Sequence, residues 1–325
     1  MTLLEFRDVS VDYASSEGLV PAVRGVTLDV AAGETLGIAG ESGCGKTTLA
    51  STVLRLLPET AQVRGEIRLD GVDLLKMKWG TLRAVRWSQA AIVFQGALHA
   101  LNPVQRIGDQ IAEPIRLHQS VPDKQINSRV GELLTQVGLP TSRAKSYPHQ
   151  LSGGQRQRVM IAMALACKPA LIIADEPTTA LDVMVQAQVL DLLTGLVRNT
   201  SAGPDGGMGM ILISHDLGVL GTTCDRIAVM YAGQIIESGP ALEIFDNPKH
   251  PYTRALAAAF PRIGDPAARY SPTGLPGDPP YPGDLPTGCS FQPRCPIAVD
   301  TCRDSAPELV HVAPHRMAAC FKVDS

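Results

Sequence analysis

Residues 3 to 13 and 26 to 39 alternate apolar with polar positions or run apolar in short bursts, the pattern of strands. The second stretch leads into GIAGESGCGKTT, a strand entering a glycine-rich loop, and Thr47 to Leu57 then reads as a helix that Pro58 is expected to stop. Gly65 to Leu69 predicts another strand, ending at the turn pair Asp70-Gly71. Residues 104 to 139 carry Ile, Leu and Val at spacings of three and four, and a long helix is expected from about Gly154 to Cys167. The short apolar runs Ala91 to Phe94, Leu171 to Ala174, Met210 to Ser214 and Ile227 to Met230 predict strands, the last three buried on both faces. With helices between them, the core is α/β.

From Phe260 to Pro286 the pattern breaks: eight prolines and four glycines in 27 residues predict an extended linker. The expected division is therefore 1–259, with a helical part at about 96–168, then the linker 260–286, then a Cys-containing segment 287–325. A chain of 325 residues, 45% hydrophobic and 19% charged, is long enough for one large or two modest cores. Its net charge of -3 and pI near 6.2 give no basic excess, which argues against a nucleic-acid partner. The longest apolar stretch, Val159 to Ala174, is interrupted by Lys168 and Pro169, so none reaches the roughly 18 to 20 residues of a bilayer span. MTLLEFRDVSVDY has acidic residues and alternation where a signal peptide has a basic start and an apolar block. Seven cysteines, the first three (Cys44, Cys167, Cys224) far apart, suit a reducing compartment better than a disulfide framework.

Three segments carry chemistry. Gly40-Glu41-Ser42-Gly43-Cys44-Gly45-Lys46-Thr47, followed by Thr48, fits the phosphate-binding pattern GxxxxGK[ST] in full. Its glycines let backbone N–H groups and a helix N-terminus face phosphates, Lys46 reaches the β and γ phosphates, and Thr47 offers a hydroxyl to Mg²⁺. The plain alternative is a glycine-rich turn before a helix. Leu171 to Glu176 is an apolar strand ending in two carboxylates: Asp175 suits the surroundings of Mg²⁺, and Glu176 can orient or deprotonate an attacking water. Alone, such a pair is most often a surface strand end. Leu151-Ser152-Gly153-Gly154-Gln155 opens a helix, where Ser152 and the glycine N–H groups form a second anion-binding cradle.

LSGGQ, with the phosphate loop before it and Asp175-Glu-Pro-Thr-Thr-Ala-Leu-Asp182 after it, resembles the ABC-transporter ATPases over about residues 3 to 250. The resemblance implies a P-loop ABC ATPase core, a mixed sheet plus an antiparallel β subdomain, with a helical subdomain. It implies that Gln95 contacts Mg²⁺ or water and senses a transmembrane partner, that His215 grips the γ phosphate, and that Tyr13 stacks on adenine. Asp182 joins the nucleotide-contacting set. In that family the Ser152 to Gln155 cradle closes over ATP bound to the opposite cassette, so a dimer is implied. Taken singly, Gln95 would be a solvated strand end, His215 a loop or capping histidine and Tyr13 an exposed strand aromatic. Cys44 stands where the family commonly has serine; a backbone-lined loop should keep its activity, and the thiol is expected to be a small filler.

More specifically, Phe94-Gln95, Leu101-Asn-Pro103, Tyr147-Pro-His-Gln150, Val185-Gln-Ala-Gln-Val-Leu190, Asn247-Pro248 and His250-Pro-Tyr-Thr253 resemble the dipeptide, oligopeptide and nickel importer ATPases. Gly96-Ala97 departs from the aspartate-proline usual after that glutamine. The resemblance implies ATP hydrolysis coupled to import of di- or oligopeptides, with a nickel or other small-solute importer as the alternative. A soluble ABC ATPase acting on ribosomes or DNA would be marked by paired cassettes or a long coiled coil, which the sequence lacks; the importer-like tail disfavours an exporter. Implied partners are a second, paralogous ATPase subunit, two transmembrane permease subunits and an extracytoplasmic substrate-binding protein. The expected location is the cytoplasmic face of the cell membrane. Cys289, Cys295, Cys302 and Cys320 are spaced C-x5-C-x6-C-x17-C. Four thiolates can hold zinc or a four-iron cluster, and the tight C-x2-4-C hook usual for zinc is missing. The run GCSFQPRCP resembles the iron–sulfur segment of dipeptide-importer ATPases, which favours 4Fe-4S over zinc or over four free thiols.

Overall fold

The structure is a computed structural model of the 325-residue chain, and it describes all residues except 17, 97–99, 180, 201–206, 260–274, 276 and 324–325. Most of the expected linker, together with Ala97 and Ala180, lies outside the described residues. The chain divides into two units, one built from Met1, Ala31–Gly33 and Lys76–Ile211, the other from Thr2–Val30, Glu34–Leu75 and Leu212–Ser325.

The second unit opens with an antiparallel sheet in the order β2-β1-β4-β5, from β1 (Thr2–Ser15), β2 (Gly18–Ala31), β4 (Ala61–Leu69) and β5 (Val72–Asp73). In β1 the most deeply buried positions are Leu4 and Phe6, then Val9 and Val11, so the inward phase shifts by one residue. The shift is a bulge: pairing with β4 breaks between Arg7 and Ser10, and Asp8 takes a φ of 49°. Across from it, a Cβ on Gly65 would lie 2.4 Å from the Asp8 carbonyl oxygen, so the partner strand has room only for glycine there. Asp70 and Gly71, with φ of 48° and 74°, form the expected two-residue hairpin between β4 and β5.

In the same unit β3 (Thr35–Ala39) pairs in parallel with β9 (Arg226–Tyr231), and β9 turns through Ala232-Gly233 into antiparallel β10 (Gln234–Pro240). β10 in turn pairs with β12 (Arg316–Ala318), and β12 with β11 (Val310–Ala313). The last strands of the chain are thus woven into the sheet that carries β3. The junction is locked by Arg316 and Glu237, 2% and 0% exposed, at 2.9 Å; Glu237 also accepts the Lys249 and His250 N–H groups, each at 2.8 Å. Such a pair adds little net stability, but removing one partner would strand a buried charge.

Helix α1 (Lys46–Val53) follows β3. It does not run to Pro58 as the sequence suggested. Arg55, with a φ of 47°, takes the left-handed position after the helix, and two backbone bonds, Arg55 N–H to Thr52 and Leu56 N–H to Ser51, each 3.0 Å, close it as a Schellman cap.

In the first unit β6 (Ala90–Val93) and β7 (Leu171–Asp175) pair in parallel. β7 is buried throughout. Helices α2 (Trp79–Val85), α3 (Ile107–His118), α4 (Asp123–Gln136), α5 (Gly153–Ala164) and α6 (Val183–Thr200) complete it. Ile107, Ile111 and Ile115 of α3 and Ile126, Val130 and Leu133 of α4 give each helix a buried stripe at helical spacing. Buried Gln110 is satisfied within its own segment, bonding Asn102 through both its amide oxygen and nitrogen, at 2.9 and 3.0 Å. Strand β8 (Gly209–Ser214), also buried throughout, carries the division between the units. Helices α7 (Leu217–Thr223), α8 (Ala241–Asp246) and α9 (Pro251–Ala259), and the short α10 (Thr301–Asp304), belong to the second unit.

Candidate functional site

The glycine-rich loop joins β3 to α1 and is shaped by main chain that tolerates no side chain. A Cβ on Gly40 would meet the Met230 carbonyl oxygen at 2.3 Å, and one on Gly45 the Ala22 carbonyl oxygen at 2.3 Å. Gly40, Gly43 and Gly45 have φ of 154°, 80° and 105°. The loop is also pinned from β9–β10, since the Gly233 N–H donates to the Cys44 carbonyl at 3.0 Å. Lys46 is 4% exposed, and its ammonium donates to the Gly40 and Glu41 carbonyls, each at 2.8 Å, so the cation is held against the concave loop. Helix α1 has no acidic residue in its first turn, leaving the positive end of its dipole uncancelled by a side chain.

Ser42 and Thr47 are exposed at the loop. Thr48 pairs with Tyr13 of β1, the two hydroxyls 3.1 Å apart. Cys44 is buried, and burial raises its thiol pKa, so it stays a neutral filler under the loop, as expected. His215 is exposed just after β8, and Asp216 beside it caps α7 by accepting the Val219 N–H at 3.1 Å.

The remaining candidates belong to the first unit. β7 ends in buried Asp175, and Glu176 follows with a φ of 43°, a conformation a glutamate adopts only under constraint. The turn that begins there is closed by the Thr179 N–H donating to the Glu176 carbonyl at 3.2 Å, and at the side chain Gln95 Nε2 and Thr179 Oγ1 both donate to Oε2, at 3.1 and 2.9 Å. The structure thereby brings Gln95 and Glu176, 81 residues apart in sequence, into direct contact. Ser152 caps α5 reciprocally with Gln155: its hydroxyl accepts the Gln155 N–H at 3.3 Å, and the Gln155 amide oxygen accepts the Ser152 N–H at 3.2 Å. Gly153 and Gly154 form the first turn. A Cβ on Gly154 would lie 2.4 Å from the Val185 side chain, a packing requirement that the phosphate-cradle reading of LSGGQ did not contain. Asp182 caps α6, its carboxylate accepting the Val185 N–H at 3.0 Å.

A group that sequence reasoning missed surrounds Glu41. Its carboxylate receives two bonds from Arg294, its N–H donates to Tyr252, and Tyr231, Tyr252 and Phe291 pack as a ring cluster with centroids 4.6 to 5.4 Å apart. The available signal was the pair of motifs HPYT and GCSFQPRCP, of which the first carried only a resemblance and the second was read for its cysteines, with no role for Arg294. Beside this cluster, Cys289, Cys295, Cys302 and Cys320 line one small cavity with Phe291, His250 and Phe321. All four are free thiols. Burial raises the pKa of Cys289, Cys295 and Cys320, and each also feels its neighbours' charge. Among the described residues, no three His, Cys, Asp or Glu side chains are placed to hold a metal ion. The expected metal-binding extension thus appears as converging thiols rather than as a formed metal centre.

The ABC transporter family matches residues 23–179, and the oligopeptide/dipeptide transporter C-terminal region matches residues 236–302. Over 322 residues, 98% of this chain and 93% of the relative, the sequence is 43% identical to the oligopeptide transport ATP-binding protein OppD of Salmonella typhimurium. The chain belongs to the ABC transporter ATP-binding proteins. It is also 44% identical to the OppD proteins of Mycobacterium bovis and Mycobacterium tuberculosis over 99% of its own length, while spanning about half (52%) of theirs. Among solved structures, the dimeric ATP-binding cassette MJ0796 in a post-hydrolysis state with ADP and Pi superposes with a TM-score of 0.65 at 28% identity, covering 74% of this chain and 99% of that one. Among the described residues of this ABC protein no helix is long and apolar enough to cross a membrane.

Proposed function

We propose that the chain binds and hydrolyses ATP as the nucleotide-binding subunit of an ABC importer of di- or oligopeptides. The observation that carries this is the phosphate loop: glycines 40 and 45 have no room for a Cβ, and a buried lysine is held over the loop they form. The near full-length similarity to a protein named for oligopeptide transport supports the substrate class. In this reading the loop N–H groups and Lys46 grip the phosphates, Tyr13 meets the adenine and His215 the γ phosphate. Glu176, its carboxylate oriented by Gln95 and Thr179, accepts a proton from water as the water oxygen attacks the γ phosphorus and ADP leaves. Thr47, Gln95 and Asp175, the last beside Glu176 in sequence, carry oxygen donors suited to Mg²⁺, which would offset charge on the phosphate oxygens.

A second, paralogous cassette would place its own Ser152-type cradle over this ATP, and two permeases with an external binding protein would complete the importer on the cytoplasmic face of the membrane. The dimeric form of the MJ0796 cassette supports the pairing. For the four cysteines the reading is a 4Fe-4S cluster, with zinc as the alternative; four thiols lining one cavity would have the donor chemistry for either once deprotonated and drawn together by the metal. Iron and sulfide in stoichiometric amounts, with visible absorbance, are expected after anaerobic purification. One zinc per colourless chain would replace the cluster with zinc, and four titratable thiols without metal would remove both.

The test of the main reading is a pair of variants. Glu176→Gln is expected to keep ATP binding while turnover falls about 10²- to 10⁴-fold, and Lys46→Ala to lose binding. Undiminished hydrolysis in Glu176→Gln would take that residue out of the reaction.

A further inference from the structure

The second residue of the phosphate loop is fastened from the far end of the chain. The Glu41 N–H donates to Tyr252 Oη at 2.9 Å, its carboxylate accepts from both terminal nitrogens of Arg294 at 2.7 and 3.0 Å, and its carbonyl accepts from Lys46 Nζ at 2.8 Å. Every polar handle of this residue is therefore engaged, and Arg294 lies 253 positions away in sequence. The Arg294 side chain is 5% exposed and also donates to Tyr231 Oη at 3.3 Å. It sits on the turn Gln292–Arg294, which is seated by buried Phe291 against Tyr231 and Tyr252, ring centroids 5.4 Å apart in both cases. A planar guanidinium paired bidentately fixes direction as well as distance, which a lysine would not.

We propose that Arg294 is a positioning residue for nucleotide binding: by clamping the Glu41 carboxylate it fixes the carbonyl of residue 41 and, through it, the Lys46 ammonium. This rests on the reading of Gly40 to Thr48 as the ATP site. The Tyr252 bond restrains the N–H side of residue 41, and on the carbonyl side the protein supplies, besides Lys46, one long bond from the Cys44 N–H at 3.4 Å. Without Arg294 the carbonyl of residue 41 is held by that long bond alone, and the contact that places Lys46 over the loop loosens. A bare charge effect makes a different demand. If Arg294 only cancelled the negative charge of Glu41 near the phosphates, removing that charge would tighten ATP binding.

The experiment measures ATP affinity, KM and kcat for the full chain and for Arg294→Gln, Arg294→Lys, Glu41→Gln and the double variant Glu41→Gln/Arg294→Gln. Arg294→Gln and Glu41→Gln are each expected to raise KM about tenfold with kcat little changed. The double variant should be no worse than either single change, and Arg294→Lys should recover part of the loss. An unchanged KM in Arg294→Gln, additive losses in the double variant, or tighter binding in Glu41→Gln would each overturn the proposal. Should Arg294→Gln fail to fold, Glu41→Gln decides alone, because that carboxylate is on a residue with 24% of its side chain exposed. Lys46→Ala is the control for the underlying reading. If wild type binds ATP and Lys46→Ala does not, the site stands whatever Arg294 does; if wild type binds no ATP, both readings fall.

Discussion

Gly43 and Gly45 share a loop but are glycine for different reasons. Gly45 combines a φ of 105° with a main-chain oxygen 2.3 Å from where a Cβ would stand, whereas Gly43, at 80°, faces open space. Gly43→Ala should therefore cost only the left-handed penalty of about 1–2 kcal/mol. Gly45→Ala must also displace the Ala22 strand or the loop, and about 2–4 kcal/mol with loss of ATP binding is expected. Chemical denaturation alongside nucleotide titration checks both, and equal costs would contradict the distinction. The spacing of these glycines was legible because a phosphate pattern is local in sequence. The contact of Gly154 with Val185 was not: it depends on how closely two helices pack, which spacing within one of them does not encode. Glu176 is a mixed case, its identity readable from the strand that precedes it and its left-handed backbone only from the turn that Thr179 closes on its carbonyl.

At the scale of elements, Ser152 is engaged twice over. Its hydroxyl caps α5 now, and under the proposed function it would also face a nucleotide on a partner cassette. Ser152→Ala should lower stability by about 1 kcal/mol and reduce turnover, while Ser152→Asn, a competent cap, should restore stability without restoring turnover. Recovery of both by asparagine would leave the serine only its capping role. Element boundaries show where local rules were enough. Asp70-Gly71 names its own hairpin, and the apolar run of β7 names a buried strand. Pro58 was a plausible helix stop, but Arg55 reverses the chain first, because the Schellman bonds satisfy the terminal carbonyls without a proline. The bulge in β1 left a trace in the change of phase between Phe6 and Val9, and it became interpretable only with Gly65 opposite.

At the scale of the whole molecule, the C-terminal segment is the part the sequence revealed least. Its motifs were visible, yet the bonds from Tyr252 and Arg294 to Glu41 join residues more than 200 positions apart, and no periodicity reports such a pairing. Its docking should respond to pH. His250 is 2% exposed, and burial lowers its pKa to about 4 from the ordinary 6.5, with Nδ1 accepting the Tyr252 N–H at 3.0 Å. In the unfolded chain the imidazole takes a proton near pH 6.5, while the folded chain resists until about pH 4, so this stabilisation is complete above the first value and is lost towards the second. At most about 3 kcal/mol is involved. Thermal melts from pH 7.5 to 4.5 should show a decline that His250→Asn flattens; an unchanged slope would assign it to other groups.

The bond between Arg316 and Glu237 also dictates an order of assembly. During synthesis β10 leaves the ribosome some eighty residues before the cation that neutralises it, the two partners being 79 positions apart. A nascent chain halted short of Arg316 offers that carboxylate only the Lys249 and His250 N–H groups, with no cation to balance its charge on burial. Trimming residues 314–325 from an expression clone would therefore strand a buried charge and destabilise β10 rather than remove a dispensable tail.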